Sequence, residues 1–147
     1  MTRAQVAMTA EEVAAFLEEQ RTLTCATIGR DGWPHLMPLW YVVRDGELWA
    51  WTYAKSQKVR NLERAPRCTL QVETGSEYHE LRGVMLKAEA VIHREGVLEL
   101  GVEIFERYTG GPIDPEHLRA QASKRVGLQF VVSSVASWDH RKLAGVY

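Results

Sequence analysis

Short runs of alternating apolar and polar residues predict that this chain is built mainly from β-strands. The runs with strand character cover residues 23–28, 35–43, 48–53, 68–73, 81–93 and 126–135. Asp31-Gly32 and Asp45-Gly46 separate the first three runs, and an Asp-Gly pair in this position is typical of a hairpin turn. The pattern therefore predicts six antiparallel strands that begin with a meander.

Short segments with helical spacing lie between and beside these runs. They cover residues 10–20, 95–107, 115–123 and a stretch that Ser56 can cap and Pro66 ends. Thr9 and Glu12 form a capping box for the first of them. Six strands with small helices at the corners predict a mainly β (α+β) fold, a six-stranded, partly closed antiparallel β-barrel. We expect one domain, with a helix at 10–20, the barrel and its helices at 23–135, and a C-terminal tail at 136–147.

Composition narrows the class of protein without identifying it. The 147 residues carry a formal net charge of −1, which argues against a general nucleic-acid binder. The two cysteines and five histidines share no metal-ligand spacing, so no metal site is expected. The N-terminus is too polar for a signal peptide, and no apolar run approaches the ~18 residues of a membrane span, so we expect a cytoplasmic protein.

Positive charge is concentrated in residues 55–67, which directly follow an aromatic strand. This stretch holds five cations and one anion, a net of +4, so the rest of the chain sums to −5. Lys55 and Lys58 lie where a helix N-terminus already favours negative charge. Together with Ser56 and free backbone N–H groups they predict a phosphate-binding site. The alternative is a solvated basic helix face.

Two strand segments beside the basic stretch carry further candidates. Trp49 and Trp51 alternate with small residues and therefore share one face, where they could stack on a ligand or belong to the core or a subunit interface. Thr52 could add a hydroxyl to the phosphate site. Pro38 lies in the middle of a predicted strand, which indicates a sheet edge, a bulge or a backbone that faces a ligand.

The order of these motifs resembles that of the pyridoxamine-phosphate-oxidase-like split-barrel proteins, and most closely their flavin- and deazaflavin-dependent oxidoreductases. The matching features are the two Asp-Gly hairpins, Ser56-x-Lys58, Arg60-Asn61-Leu62, Pro66-Arg67 and the ending Trp138-Asp139-His140-Arg141-Lys142-Leu143. The resemblance covers roughly residues 10–142. It implies a homodimer with two equivalent cofactor sites at the subunit interface and a small-molecule substrate.

The resemblance also implies which residues hold the cofactor. Ser56 and Lys58 match phosphate-binding positions, and Lys55, Arg60 and Asn61 match positions that line the phosphate or tail region. The remaining matches are the strand beside the cofactor ring, a pair that closes over its ribityl end, and a C-terminal position near the partner subunit's site. These are respectively His35, Leu36, Met37 and Pro38; Trp51 and Thr52; and Trp138. Catalytic side chains are not implied.

The chain departs from true pyridoxamine phosphate oxidases in its C-terminal region. Only Arg141 stands there, without the substrate-clamping arginine motif, which argues against vitamin B6 oxidation. The cations beyond Ser56-x-Lys58 favour coenzyme F-420, with its phosphodiester and oligoglutamate tail, over FMN. The expected activity is hydride transfer from reduced F-420 to a small electron-poor substrate. The alternatives are an FMN-dependent oxidoreductase, a non-catalytic cofactor carrier, or a small nucleic-acid or acidic-protein patch on the basic helix.

Overall fold

Six antiparallel strands form a closed barrel in the computed structural model, which describes residues 1–145. The strands are β1 (Thr22–Ile28), β2 (Pro34–Arg44), β3 (Glu47–Tyr53), β4 (Arg67–Thr74), β5 (Arg82–His93) and β6 (Arg125–Asp139). Their order around the barrel is β1-β2-β3-β6-β5-β4. The predicted mainly β fold with a six-stranded antiparallel barrel is confirmed.

Alternating residues of every strand fill the barrel interior. In β1, for example, Leu23, Cys25 and Thr27 are fully buried while their neighbours face outward. Two helices cover the ends of this core. They are α2 (Ala10–Glu19), which buries Phe16 and Leu17, and α3 (Gln57–Arg64), which buries Val59 and Leu62.

A second apolar cluster lies outside the barrel, beneath α4 (Val97–Thr109). Trp51 of β3 is buried there against Gly101, where an added Cβ would come within 2.4 Å of the indole ring. Glycine at this position therefore lets the helix approach the sheet closely. Shorter helices complete the fold: α1 (Arg3–Val6), α5 (Arg119–Ala122) and 3-10 turns at Tyr78–Glu80, Pro115–His117 and His140–Leu143. None of the helices within residues 1–145 is long and apolar enough to cross a membrane.

The last strand differs from its prediction. We expected it to end at residue 135 and the tail to begin at 136, but β6 continues to Asp139, which pairs with Arg82 of β5. A register shift between Lys87 and Ala88 marks a bulge that breaks the simple alternation of the two strands. The end of the strand was missed because residues 136–139, Ala-Ser-Trp-Asp, show little apolar alternation of their own and are held in the strand by pairing with residues 82–85 of β5. Residues 140–143 form the last 3-10 turn, and residues 146–147 of the predicted tail lie outside the described residues.

Two smaller differences concern helices. The helix α1 was not predicted, because four residues are too few to show a period. The segment 115–123 was predicted as one helix and is a 3-10 turn followed by α5, with Leu118 between them.

Candidate functional site

The first half of β2 has a free edge. Residues 34–40 pair with β1, whereas β3 pairs only with residues 41–44 of the same strand. Leu36, Met37 and Pro38 are consecutive and all exposed, so both faces of the strand are open here. Because proline has no backbone N–H, Pro38 fits such an edge, and the edge position is one of the three interpretations that its place in the strand allowed. The result is an apolar strand edge that no described residue covers.

The basic helix α3 begins on the strand–helix connection that follows β3. Ser56 is its N-cap and accepts a hydrogen bond from Val59 N at 3.3 Å. The first turn contains no acidic residue, while Lys55 precedes it and Lys58 lies within it. A helix N-terminus flanked by cations and lacking carboxylates favours an anion.

Lys58 is nearly buried, with 4% of its surface exposed. Its ammonium donates to Thr52 Oγ1 at 3.0 Å, and no carboxylate among residues 1–145 pairs with it. Burial lowers the pKa of this ammonium, and the charge of Arg125 lowers it further, while Cys25 acts in the opposite direction. A buried charge held only by a neutral hydroxyl is costly to the folded state, which points to a use beyond packing.

Two thiols lie inside the barrel close to this lysine. Cys25 and Cys68 are buried, unoxidised and on neighbouring strands. A hydrogen bond from Cys68, opposed by burial and helped by the charge of Lys58, lowers the pKa of Cys25. The pKa of Cys68 is raised by the same bond and by burial. Both thiols belong to the core cluster of the barrel.

A cavity of about 490 Å³ separates the β1–β2 hairpin from α3. Its walls are Gly29, Arg30, Asp31, Trp33, Pro34, His35, Gln57 and Asn61. Asn61 is fully buried and its side chain donates to Thr27 Oγ1 at 3.0 Å, while Gln57 Nε2 donates to Asn61 Oδ1 at 2.8 Å. His35 Nδ1 is buried and has no hydrogen-bond partner within residues 1–145. An orphaned ring nitrogen beside fixed amides suits a polar ligand group in this cavity.

The structure therefore gathers most of the residues implied by the resemblance. His35 and Asn61 face one cavity, residues 36–38 form the adjoining open edge, and the basic positions lie on or just before α3. These basic positions and the capping residue are Lys55, Ser56, Lys58 and Arg60. Arg60 is exposed and has no ion pair within the described part of the chain. The assignment of each to a cofactor stays a prediction.

Three tryptophans, Trp40, Trp51 and Trp138, do not line the cavity beside His35. Trp51 is 6% exposed beneath α4, so its ring belongs to the core cluster there. Trp40 stacks on Tyr108 with ring centroids 3.4 Å apart. Trp138 lies over Gly83. It is eleven residues further along β6 than Gly127, the residue that pairs with Trp51, and eleven residues of strand span roughly 35 Å. Within one chain Trp51 and Trp138 therefore do not meet.

Sequence reasoning missed Arg125, which lies at the start of β6. Its guanidinium carbon is 4.7 Å from the Trp51 ring centroid and 4.2 Å from that of Tyr53. The pairing of β3 with β6, two strands far apart in sequence, brings Arg125 opposite Tyr53. Only the basic pair Lys124-Arg125 in front of the last strand could have signalled it.

Within residues 1–145 there is no group of three or more His, Cys, Asp or Glu side chains that could hold a metal ion. The site offers cations, amides, hydroxyls and an apolar strand edge. Such a set can bind an anionic aromatic molecule and orient it, but it contains no nucleophile–base pair for covalent chemistry.

Comparison with known proteins identifies the class to which this arrangement belongs. The model of the pyridoxamine 5'-phosphate oxidase family matches residues 9–139, and the chain belongs to that family. The resemblance drawn from the sequence motifs is thereby confirmed. A search of curated proteins finds no match.

Solved structures agree with this assignment. The conserved hypothetical protein Rv2991 from Mycobacterium tuberculosis is 44% identical, with a TM-score of 0.91 over 100% of this chain and 94% of that one. An F420 reductase is 21% identical, with a TM-score of 0.69 over 83% of this chain and 94% of that one. A protein from Listeria innocua described as a pyridoxamine 5'-phosphate oxidase is 15% identical, with a TM-score of 0.65 over 86% and 95%. The last two show a shared fold.

Proposed function

We propose that this protein is an oxidoreductase that binds coenzyme F-420 and serves the transfer of hydride to a small electron-poor organic substrate. The observation that carries the proposal is the open edge of β2 beside the basic N-terminus of α3. The edge exposes apolar side chains and unpaired backbone, which suit a planar ring. The helix end supplies cations without carboxylate partners, which suit phosphate and carboxylate groups.

The roles of the chain's own residues follow from this geometry. Backbone groups of residues 35–38 orient the ring, and Lys55, Ser56 and Arg60 hold the anionic chain. Buried Lys58, which donates a hydrogen bond to the Thr52 hydroxyl, adds positive charge near the anionic chain. When bound, the deazaflavin supplies the two-electron chemistry, which the protein itself lacks. No side chain is assigned as a proton donor, and solvent can serve.

FMN is the second candidate cofactor. Its single phosphate would be satisfied by Ser56 and Lys58, and the protein would then be an FMN-dependent oxidoreductase of its family. Lys55 and Arg60 remain without ion pairs within residues 1–145, and this surplus of positive charge favours the more anionic F-420. A carrier that binds F-420 without turnover is a third possibility on the same site.

We also propose a cytoplasmic homodimer with the cofactor between its subunits. Large exposed apolar side chains concentrate on and beside the β1–β2 hairpin, at Ile28, Trp33, Leu36 and Met37, and a strand edge of this kind normally requires cover. A second subunit would bury this surface and could bring its own Trp138 to the site. Light scattering should give twice the mass of the chain, and a monomer would remove the shared site.

The experiment that separates an enzyme from a carrier follows oxidation of reduced F-420 spectroscopically. Acceptors to be tested are enones, quinones and biliverdin-like tetrapyrroles, with denatured protein as the blank. Turnover with one acceptor class would support the oxidoreductase. Stoichiometric binding without turnover in any class would leave a carrier.

A further inference from the structure

The guanidinium of Arg125 forms no ion pair with any described residue. It is the first residue of β6 and pairs across the sheet with Tyr53, the last residue of β3. Its guanidinium lies against the rings of Tyr53 and Trp51, at 4.2 and 4.7 Å from their centroids. Its Nε is buried without a hydrogen-bond partner, and the side chain forms no ion pair within residues 1–145.

This arginine lies beside the connection that leads into the basic helix. Ala54 N donates to Lys124 O at 2.9 Å, which fixes the start of β6 against the residues that precede Ser56. The charge of Arg125 is felt by Lys58, whose pKa it lowers. The other group that acts on Lys58 is the Cys25 thiol, so no carboxylate compensates the two cations.

Two uncompensated cations near each other raise the free energy of the folded state unless an anion joins them. The two aromatic rings fix the orientation of the guanidinium, so little conformational entropy is lost when it binds. A planar, pre-oriented fork matches two oxygens of a phosphoryl group better than a lysine does.

We propose that Arg125, at the start of β6, is a binding residue for a phosphoryl group. This assignment rests on the proposed cofactor site, because the phosphoryl group it would hold there is that of the deazaflavin. Arg125 would make the protein select a phosphorylated cofactor over its phosphate-free precursor, which has the same ring and ribityl chain.

The test compares Arg125→Gln and Arg125→Lys with the wild type in titrations followed by Trp fluorescence. The ligands are F-420 and the phosphate-free deazaflavin riboside. Arg125→Gln should weaken F-420 binding by about 10- to 100-fold, the loss of a charge-assisted hydrogen bond, and riboside binding by less than about threefold. Arg125→Lys should recover only part of the loss, because lysine lacks the fork. Arg119→Gln, at an exposed arginine paired with Glu116, is the matched control and should change neither affinity.

Equal losses for both ligands would show that Arg125 only supports Trp51 and Tyr53, and an unchanged F-420 affinity would also overturn the proposal. Failure of the wild type to bind either deazaflavin would instead contradict the proposed function. In that event a calorimetric titration with inorganic pyrophosphate tests Arg125 directly. Binding that Arg125→Gln abolishes would support the anion site, and absence of binding to the wild type would overturn it.

Discussion

Replacement of Lys58 by methionine should lower cofactor affinity without lowering the stability of the fold. The lysine is 4% exposed, and its ammonium has one hydrogen bond, to Thr52 Oγ1. Methionine has nearly the same length and fills the same space without a charge. The variant therefore removes a buried cation and leaves the packing of α3 against the barrel almost unchanged.

The magnitude follows from two opposing effects on the free protein. Loss of the ammonium leaves the Thr52 hydroxyl without its donor, at a cost of about 1–3 kcal/mol if it finds no water. Removal of a buried, uncompensated charge relieves a desolvation penalty of several kcal/mol, to order of magnitude. The free energy of unfolding should therefore stay the same or rise by up to about 2 kcal/mol. Affinity for F-420 should fall by about 1–3 kcal/mol, roughly 5- to 150-fold.

The pH dependence gives the variant a second signature. Burial holds the pKa of Lys58 below its ordinary value of 10.5, so the unfolded chain binds the proton more tightly than the folded one. The cost of burying the charged ammonium is complete below the pKa of the folded state and disappears as pH rises towards 10.5. Across this pH range the free energy of unfolding of the wild type should therefore rise relative to that of Lys58→Met.

Urea denaturation at several pH values measures the free energy of unfolding, and fluorescence titration measures the affinity for F-420. Arg119→Met is the control, because that exposed cation pairs with Glu116 and lies at the first position of α5. A Lys58→Met variant that loses more than about 1 kcal/mol of stability and keeps its F-420 affinity would refute the argument, and would make Lys58 a structural residue.

Four further variants, at three positions, test individual elements of the site and fold. Ser56→Ala should cost about 1 kcal/mol of stability through loss of the α3 cap, whereas Ser56→Asp should keep the cap and weaken anion binding. Gly101→Ala should lower the free energy of unfolding by about 1–2 kcal/mol, because its Cβ would overlap the ring of Trp51 by more than the helix gains. Asp139→Asn should cost about 1–3 kcal/mol at neutral pH, because Asp139 accepts three hydrogen bonds from Arg141. Denaturant unfolding measures the stability of all four variants, and fluorescence titration measures the anion affinity of Ser56→Asp.

Each of these variants has a control or a contradicting outcome. Gly111→Ala introduces a Cβ with nothing within 4 Å and should be nearly neutral, so equal losses at both glycines would exclude the clash. The Arg141 hydrogen bonds hold the pKa of Asp139 below 3.8, so its contribution is present above that pH and lost as pH falls through the folded pKa. A cost that persists in acid would contradict this. Equal F-420 affinity for Ser56→Asp and the wild type would move the phosphate elsewhere.

Local signals in the sequence were sufficient for most of the barrel. The Asp-Gly turns placed the first three strands, and the cap at Ser56 with the stop at Pro66 bounded α3, because these signals act over a few residues. The end of β6 was missed, because residues 136–139 show little apolar alternation and are held in the strand by pairing with residues 82–85 of β5. The closure of the barrel needs pairings between distant strands, which no local pattern contains.

The residues of the candidate site also fall into two groups, those that local sequence signals indicate and those that depend on contacts between distant parts of the chain. The clustering of charge in 55–67 and the position of Pro38 could be seen in the sequence, since both are local. The burial of Lys58 and the stacking of Arg125 could not, because each depends on a contact with β3. Trp51 could have belonged to a ligand site or to the core, and only α4, packed over it through Gly101, decides for the core.

The central claim is that the strand edge at 35–38 and the basic end of α3 bind a deazaflavin. Parallel titrations of the purified protein with F-420 and with FMN, followed by quenching of Trp fluorescence, test it most directly. We expect saturable binding of F-420 at micromolar concentration or below, one molecule per subunit, and weaker binding of FMN. Tighter binding of FMN would assign the protein to the flavin-dependent members of its family, and absence of binding for both would contradict a cofactor site at this edge.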